Sequence, residues 1–176
     1  MSRVSEVEQK LRKYVAPNYS PLSFVPYSAK GVWIEGFMRD SDNLVQVLDM
    51  TSTYSALSLG HNHPDIVGLK MERLRDNRPS KTARGIVMHE ELADLAEMLC
   101  NLSGMEMMIP KSTGVEVFDA AVNAARMWKH EVKGGLKNNA EIIVCEGNFH
   151  GRSVAARDAS TNEWYRNGFG PYAPWW

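Results

Sequence analysis

Residues 105–152 read MEMMIPKSTGVEVFDAAVNAARMWKHEVKGGLKNNAEIIVCEGNFHGR. MEMMIP (105–110) has the apolar density of a short strand, and STGVE (112–116) is a turn that opens a helix. The helix is predicted to run to about Val132, with Val117, Ala121, Val122, Ala125 and Trp128 on one face. KGG (133–135) stops it, EIIVCE (141–146) reads as a buried strand, and a short helix is expected near 153–159 after the loop GNFHGR (147–152). Strand, helix and strand at this spacing form a βαβ unit, which implies parallel strands joined by a right-handed crossover. The expected class is therefore α/β, a largely parallel sheet flanked by helices.

Upstream, a helix is predicted from His89 to Leu102 with Leu92, Leu95, Ala96 and Leu99 as its stripe, and Gly104 is its stop signal. Pro64 suits the first position of a helix reaching about Leu74, with Ile66, Val67, Leu69 and Met71 as its apolar side. Short strands are expected at Phe24–Tyr27, Val32–Ile34 and Leu44–Met50. Val4, Val7, Leu11 and Val15 recur at helical spacing over residues 3–15, and Pro17 ends that pattern. Downstream, WYRNGFGPYAPWW (164–176) reads as an irregular aromatic loop that ends on Trp175 and Trp176.

With 176 residues the chain suits one domain, or one and part of another, on a prior of roughly 150 residues per domain. The hydrophobic fraction of 44% and charged fraction of 23% argue against disorder and coiled coil. A net charge of −1 gives no extended electrostatic grip on nucleic acid. No apolar run approaches the roughly 18–20 residues that span a bilayer, and MSRVSEVEQKLRKYV (1–15) lacks the apolar core of a secretory signal. Neither membrane nor nucleic acid is therefore expected as a partner. Cys100 and Cys145 make neither a disulfide framework nor a zinc site, and both read as small buried hydrophobes in a reducing, cytoplasmic setting.

Four motifs carry possible chemistry. The turn Ser112-Thr113-Gly114-Val115-Glu116 reads first as an N-cap. It also suits a phosphate, because a helix N-terminus offers free N–H groups and Gly114 lets an anion approach closely. In Gly147–Arg152, at a strand's carboxyl end, Phe149 could stack on a planar ring and Arg152 could clamp a carboxylate, or the loop could simply bury Phe149 and solvate Arg152. His61 and His63 in GHNHP lack a Cys, Asp or Glu cluster to complete a metal set, so no metal is expected. Tyr19 and Tyr54 taken alone are packed aromatics with wet hydroxyls, and Met105, Met107 and Met108 are core filler.

Taken in order, NYSPL (18–22), TSTYSALSLGHNHPDIV (51–67), IPKSTGVE (109–116), ARMWKHEVKG (125–134), EGNFHGR (146–152) and GFGPY (168–172) resemble the class III, ornithine-type aminotransferases that use pyridoxal 5′-phosphate. The resemblance implies the N-terminal part of a fold-type I enzyme: a small segment over residues 1–50, then the beginning of the large cofactor domain over residues 51–176. It implies that Thr113, Gly114 and Val115 contact the cofactor phosphate and that Phe149 stacks on the pyridine ring. It implies that Arg152, assisted by Tyr19, holds the α-carboxylate of L-ornithine, and that Tyr54 favours ornithine. The amino acceptor would be 2-oxoglutarate, the products glutamate 5-semialdehyde and glutamate, and the partner a second copy or a complementary C-terminal chain. The family's Schiff-base lysine lies downstream of these motifs. None of Lys10, Lys13, Lys30, Lys70, Lys81, Lys111, Lys129, Lys133 and Lys137 occupies its position, so no catalytic residue is assigned within the chain.

Overall fold

The computed structural model describes residues 2–39, 43–79, 82–136 and 139–172. Lys81, Lys137, Trp175 and Trp176 lie outside the described residues. The chain divides into two compact units, Met1–Val87 and Met88–Trp176.

The first unit opens with α1 (Arg3–Tyr14), the helix expected from the valine and leucine spacing. Ser2 caps it by accepting the Ser5 N–H, and Arg12 and Lys13 complement the negative end of its dipole. Three antiparallel strands follow in the order β1 (Phe24–Lys30), β2 (Trp33–Met38) and β3 (Leu44–Leu48). The β1–β2 register pairs Lys30 with Trp33, so the hairpin turns on Gly31 and Val32, and Gly31 takes φ +59°. Pairing shifts between Pro26 and Ser28, a bulge at the proline that cannot donate to the ladder. α1 lies against β1 and β2; Val4 is buried and the Arg3 guanidinium sits 4.7 Å from the centre of the Phe37 ring. After β3 comes a single left-handed turn, α2 (Ser52–Ser55), and then α3 (Pro64–Arg75), which starts on its proline as expected.

The second unit is built on α4 (Glu90–Ser103) and α5 (Gly114–Glu131). α4 ends at Gly104 in the left-handed conformation, φ +72°, so its stop signal acts as read. Two one-turn helices, α6 (Val154–Asp158) and α7 (Glu163–Arg166), follow. α7 falls in the tail expected to be irregular, where Asn162 caps it by accepting the Trp164 N–H. Val122, Ala140, Ala156 and Ala159 are buried here, together with Asp158 and Ser160.

Two strand expectations differ from what is found. Residues 105–110 and 141–146 form no ladder, and the sheet of the described residues is wholly antiparallel. A parallel strand takes its partners from distant parts of a sequence, and these two segments do not pair with each other. Many of their side chains consequently face solvent, with Met108, Pro110, Ile142 and Val144 intermediate. Met105 and Met107 are exposed rather than core filler, as is Ile143. Cys145 is exposed rather than buried, and Cys100 is intermediate. The helical stripes share this character: Ile66, Val67, Leu69 and Met71 on α3, Leu95 and Leu99 on α4, and Val117 and Trp128 on α5 are all exposed. Their spacing reports helix correctly, while the apolar surface they would bury lies outside their own unit's packing. Among the described residues no helix is long and apolar enough to cross a membrane.

Candidate functional site

In the second unit, the turn at Ser112–Glu116 is a complete capping box. The Thr113 hydroxyl accepts the Glu116 N–H at 3.4 Å, and Glu116 Oε2 accepts the N–H groups of Ser112 and Thr113 at 2.9 Å each. Those two N–H donors hold the Glu116 carboxyl below the usual carboxylate range. The box leaves the first-turn N–H groups of Gly114 and Val115, which have no acceptor within a helix, at the positive end of an 18-residue helix. A Cβ added at Gly114 would meet nothing within 4 Å, so the space beside Gly114 is open. Open space, two N–H donors and a threonine hydroxyl are a donor set that fits a phosphate.

The loop Gly147–Arg152 packs onto this turn. A Cβ at Gly151 would lie 2.4 Å from Val115 Cγ2, so only glycine permits the approach, and Gly151 takes φ +131°. The His150 ring stacks on Phe118 of α5 at 4.3 Å and 12°. Ser153 Oγ donates to Asp119 Oδ1 at 2.7 Å. The other side of the loop is tied back to residues 159–161. The Gly147 N–H donates to Thr161 Oγ1 at 2.7 Å, Asn148 Nδ2 to the Ala159 carbonyl at 3.1 Å, and Ser160 Oγ to the Asn148 carbonyl at 3.3 Å. Between these two sets of ties stands Phe149, 54% exposed, its ring 5.0 Å from that of Tyr165 at 60°. Arg152 is exposed at the end of the same loop. Thr113, Gly114 and Val115 thus belong to one turn-and-loop assembly with the loop that carries Phe149 and Arg152.

Tyr19 and Tyr54 belong to the first unit. Tyr19 is exposed and lines a cleft of about 430 Å³ with Leu11, Arg12, Pro17 and Arg39. Tyr54 is 90% exposed at the crest of the left-handed turn. Behind the turn lies Asp49, a residue the sequence reading passed over. Its Oδ1 accepts the Thr51 N–H at 2.8 Å, the Thr51 hydroxyl at 2.8 Å and the Ser52 N–H at 3.0 Å, and its Oδ2 meets His61 Nε2 at 2.8 Å. The Thr51 hydroxyl, then His61, then the Thr51 N–H hold its carboxyl far below the usual carboxylate range. An aspartate whose side chain reaches the N–H two residues on is an Asx-turn, so Asp49 before Met50-Thr51-Ser52 carried a readable signal. His61 faces Asp49, and His63 Nδ1 lies 3.9 Å from Asp65 Oδ2. Among the described residues no group of three or more His, Cys, Asp or Glu side chains is placed to hold a metal ion.

The sequence model of the family described as aminotransferase class-III matches residues 14–175. The ornithine aminotransferase of Halalkalibacterium halodurans is 43% identical over 174 residues, which cover 98% of this chain and 42% of that protein. The crystal structure of the ornithine aminotransferase from Toxoplasma gondii superposes with a TM-score of 0.86 at 25% identity, covering 99% of this chain and 39% of that one. A second structure of the ornithine aminotransferase from that organism, with partial occupancy of PLP at its active site, superposes with a TM-score of 0.83 at 26% identity, covering 97% and 38%. The chain spans about two fifths of the length of the relatives it matches.

Proposed function

The chain belongs to the class-III aminotransferase family, and from that membership we propose that it carries the cofactor and substrate contacts of an enzyme moving the δ-amino group of L-ornithine to 2-oxoglutarate. The products are glutamate 5-semialdehyde and glutamate. Support comes chiefly from one observation, the packing of Gly151 on Val115, which joins the loop bearing Phe149 and Arg152 to the N-terminus of α5.

Pyridoxal 5′-phosphate, when bound, supplies an aldehyde that accepts an amino group and a ring that withdraws electrons. The N–H groups of Gly114 and Val115 and the Thr113 hydroxyl hold its phosphate. Phe149 presents an aromatic face to the pyridine ring, and Arg152 holds the substrate α-carboxylate with Tyr19 assisting. Ornithine has two amines, and a carboxylate clamp far from the reacting centre presents the distal one. Tyr54 is the contact that favours ornithine. The family's cofactor-anchoring lysine is expected outside residues 1–176, so this chain supplies binding and orientation rather than the proton-transfer group. Residues 1–50 serve as the small N-terminal segment and residues 51–176 as the beginning of the cofactor domain. The exposed stripes of α3, α4 and α5 support association with a second copy or with the complementary C-terminal part, in the cytoplasm.

Mixed with pyridoxal 5′-phosphate, L-ornithine and 2-oxoglutarate, the chain alone is expected to release no semialdehyde, and to do so once complemented by the remaining length of the family sequence. Turnover by the chain alone, or preference of the complemented enzyme for acetylornithine or 4-aminobutyrate, contradicts the proposal. Cofactor binding with no turnover in either form would instead identify a non-catalytic binding module.

A further inference from the structure

Ser52, Thr53, Tyr54 and Ser55 take φ of +46°, +50°, +58° and +70°, four consecutive left-handed residues with no glycine among them. L-residues avoid this region because Cβ crowds the following carbonyl, so a run of four persists only where the surroundings hold it. Within the run, the Tyr54 N–H donates to the Thr51 carbonyl at 2.9 Å, the Ala56 N–H to the Thr53 carbonyl at 3.3 Å, the Leu57 N–H to the Ser52 carbonyl at 3.1 Å, and Ser52 Oγ to the Leu57 carbonyl at 2.9 Å. The entry to the run is fixed by Asp49, whose Oδ1 takes the N–H groups of Thr51 and Ser52 together with the Thr51 hydroxyl. Asp49 is itself anchored twice to the tip of the β1–β2 hairpin. Its N–H donates to the Val32 carbonyl at 2.8 Å, and its Oδ2 meets His61, whose own N–H and carbonyl both bond to Gly31 at 2.7 and 2.9 Å. A continuous chain of contacts therefore runs from a paired hairpin through His61 and Asp49 to the turn that displays the Tyr54 ring.

We propose that Asp49 is the positioning residue for Tyr54: its carboxylate locks the left-handed turn to the hairpin, and through that turn it sets how strongly the enzyme prefers L-ornithine over a shorter ω-amine. The inference rests on the reading of Tyr54 as a substrate contact. Two measurements separate the one from the other. On the isotopically labelled chain, strong intraresidue HN–Hα Overhauser effects at Thr53, Tyr54 and Ser55 report positive φ. They are expected to persist in Asp49→Asn, whose amide oxygen still accepts from Thr51 and Ser52, and to be lost in Asp49→Ala. In the complemented enzyme, Asp49→Ala is expected to lower kcat/KM for L-ornithine relative to 4-aminobutyrate by about tenfold, the cost of one lost charge-assisted contact, chiefly through KM. In a Tyr54→Ile background the same change is expected to have no further effect on that ratio, because Asp49 acts through Tyr54.

A left-handed turn that survives Asp49→Ala overturns the inference and leaves the reading of Tyr54 standing. So does a released turn with unchanged preference in an enzyme where Tyr54→Ile does shift it. Should Asp49→Ala fail to fold, Asp49→Asn carries the test: turn and preference are expected to be retained together, and a preference that shifts while the turn persists, or holds while the turn is lost, overturns the inference. Unchanged preference in Tyr54→Ile removes the reading of Tyr54 and the inference with it.

Discussion

Replacing Gly151 by alanine should separate the loop at 147–152 from the turn at 112–116. The added Cβ would lie 2.4 Å from Val115 Cγ2 and 2.6 Å from Val115 Cβ, distances that require one backbone to move. Overpacking of that kind costs roughly 1–3 kcal/mol. The φ of +131° is a region open essentially to glycine, which adds roughly 1–3 kcal/mol for alanine. Taking the middle of each range gives about 4 kcal/mol. Gly147→Ala is the control: it also has positive φ, +71°, but its Cβ would meet nothing within 4 Å, so only the left-handed penalty of about 1 kcal/mol applies. Residue-resolved urea unfolding, followed at α5 and α6 amides, measures both. A Gly151→Ala/Val115→Gly pair removes the two nearest atoms and leaves Val115 Cα at 3.4 Å, so the double change should cost less than the sum of its parts. Equal losses for Gly147→Ala and Gly151→Ala, or strict additivity in the pair, would refute the claim that these segments are in contact.

Thr113→Ala should destabilise α5 by about 1 kcal/mol through loss of its N-cap, while Thr113→Ser keeps the hydroxyl and most of the stability; hydrogen exchange at α5 amides reads the difference. Gly36→Ala in β2 would bring a Cβ to 2.5 Å from both the Phe24 ring and the Val25 carbonyl, and should cost roughly 1–3 kcal/mol in urea unfolding of the first unit, with loss of β1–β2 cross-strand contacts. Because Asp49 titrates lower in the folded chain than in the unfolded one, its hold on the turn is fully present above about pH 4 and falls away as pH drops further toward the folded value. The ¹³C shift of its carboxyl should therefore stay that of a carboxylate at pH 4; a midpoint at or above that pH would contradict the hydrogen-bond geometry.

Periodicity and end signals carried much of the fold. The spacing of Val4, Val7 and Leu11, the proline at 64, the glycine at 104 and the helix-opening turn at 112–116 each mark an element that forms where expected, because each is a local instruction. The segments MEMMIP and EIIVCE carry strand-like composition, but a ladder is a property of two segments and neither finds its partner among the described residues. Exposure followed the same limit, since Cys145 and Met107 have core-type side chains whose covering surface no local pattern supplies. The left-handed run at Ser52–Ser55 was the least legible feature. It contains no glycine, and it is held by Asp49 and by His61, twelve residues further along the chain. In the assembly around Phe149, the loop and the turn were readable as motifs. The ties that fix them, His150 on Phe118 and Ser153 to Asp119, depend on tertiary contacts across more than thirty residues.

The proposed function requires the α5 turn and the Phe149 loop to form one cradle for a phosphorylated ring. Calorimetric titration with pyridoxine 5′-phosphate tests it most directly, because this ligand has the ring and the phosphate but no aldehyde to react with surface lysines. One saturable site should appear, about tenfold or more tighter than for pyridoxine, in keeping with two charge-assisted hydrogen bonds, and weakened by Phe149→Ala and Gly151→Ala. Equal affinity for the phosphorylated and unphosphorylated compounds, or binding indifferent to both substitutions, would show that the turn and the loop do not hold the ring together.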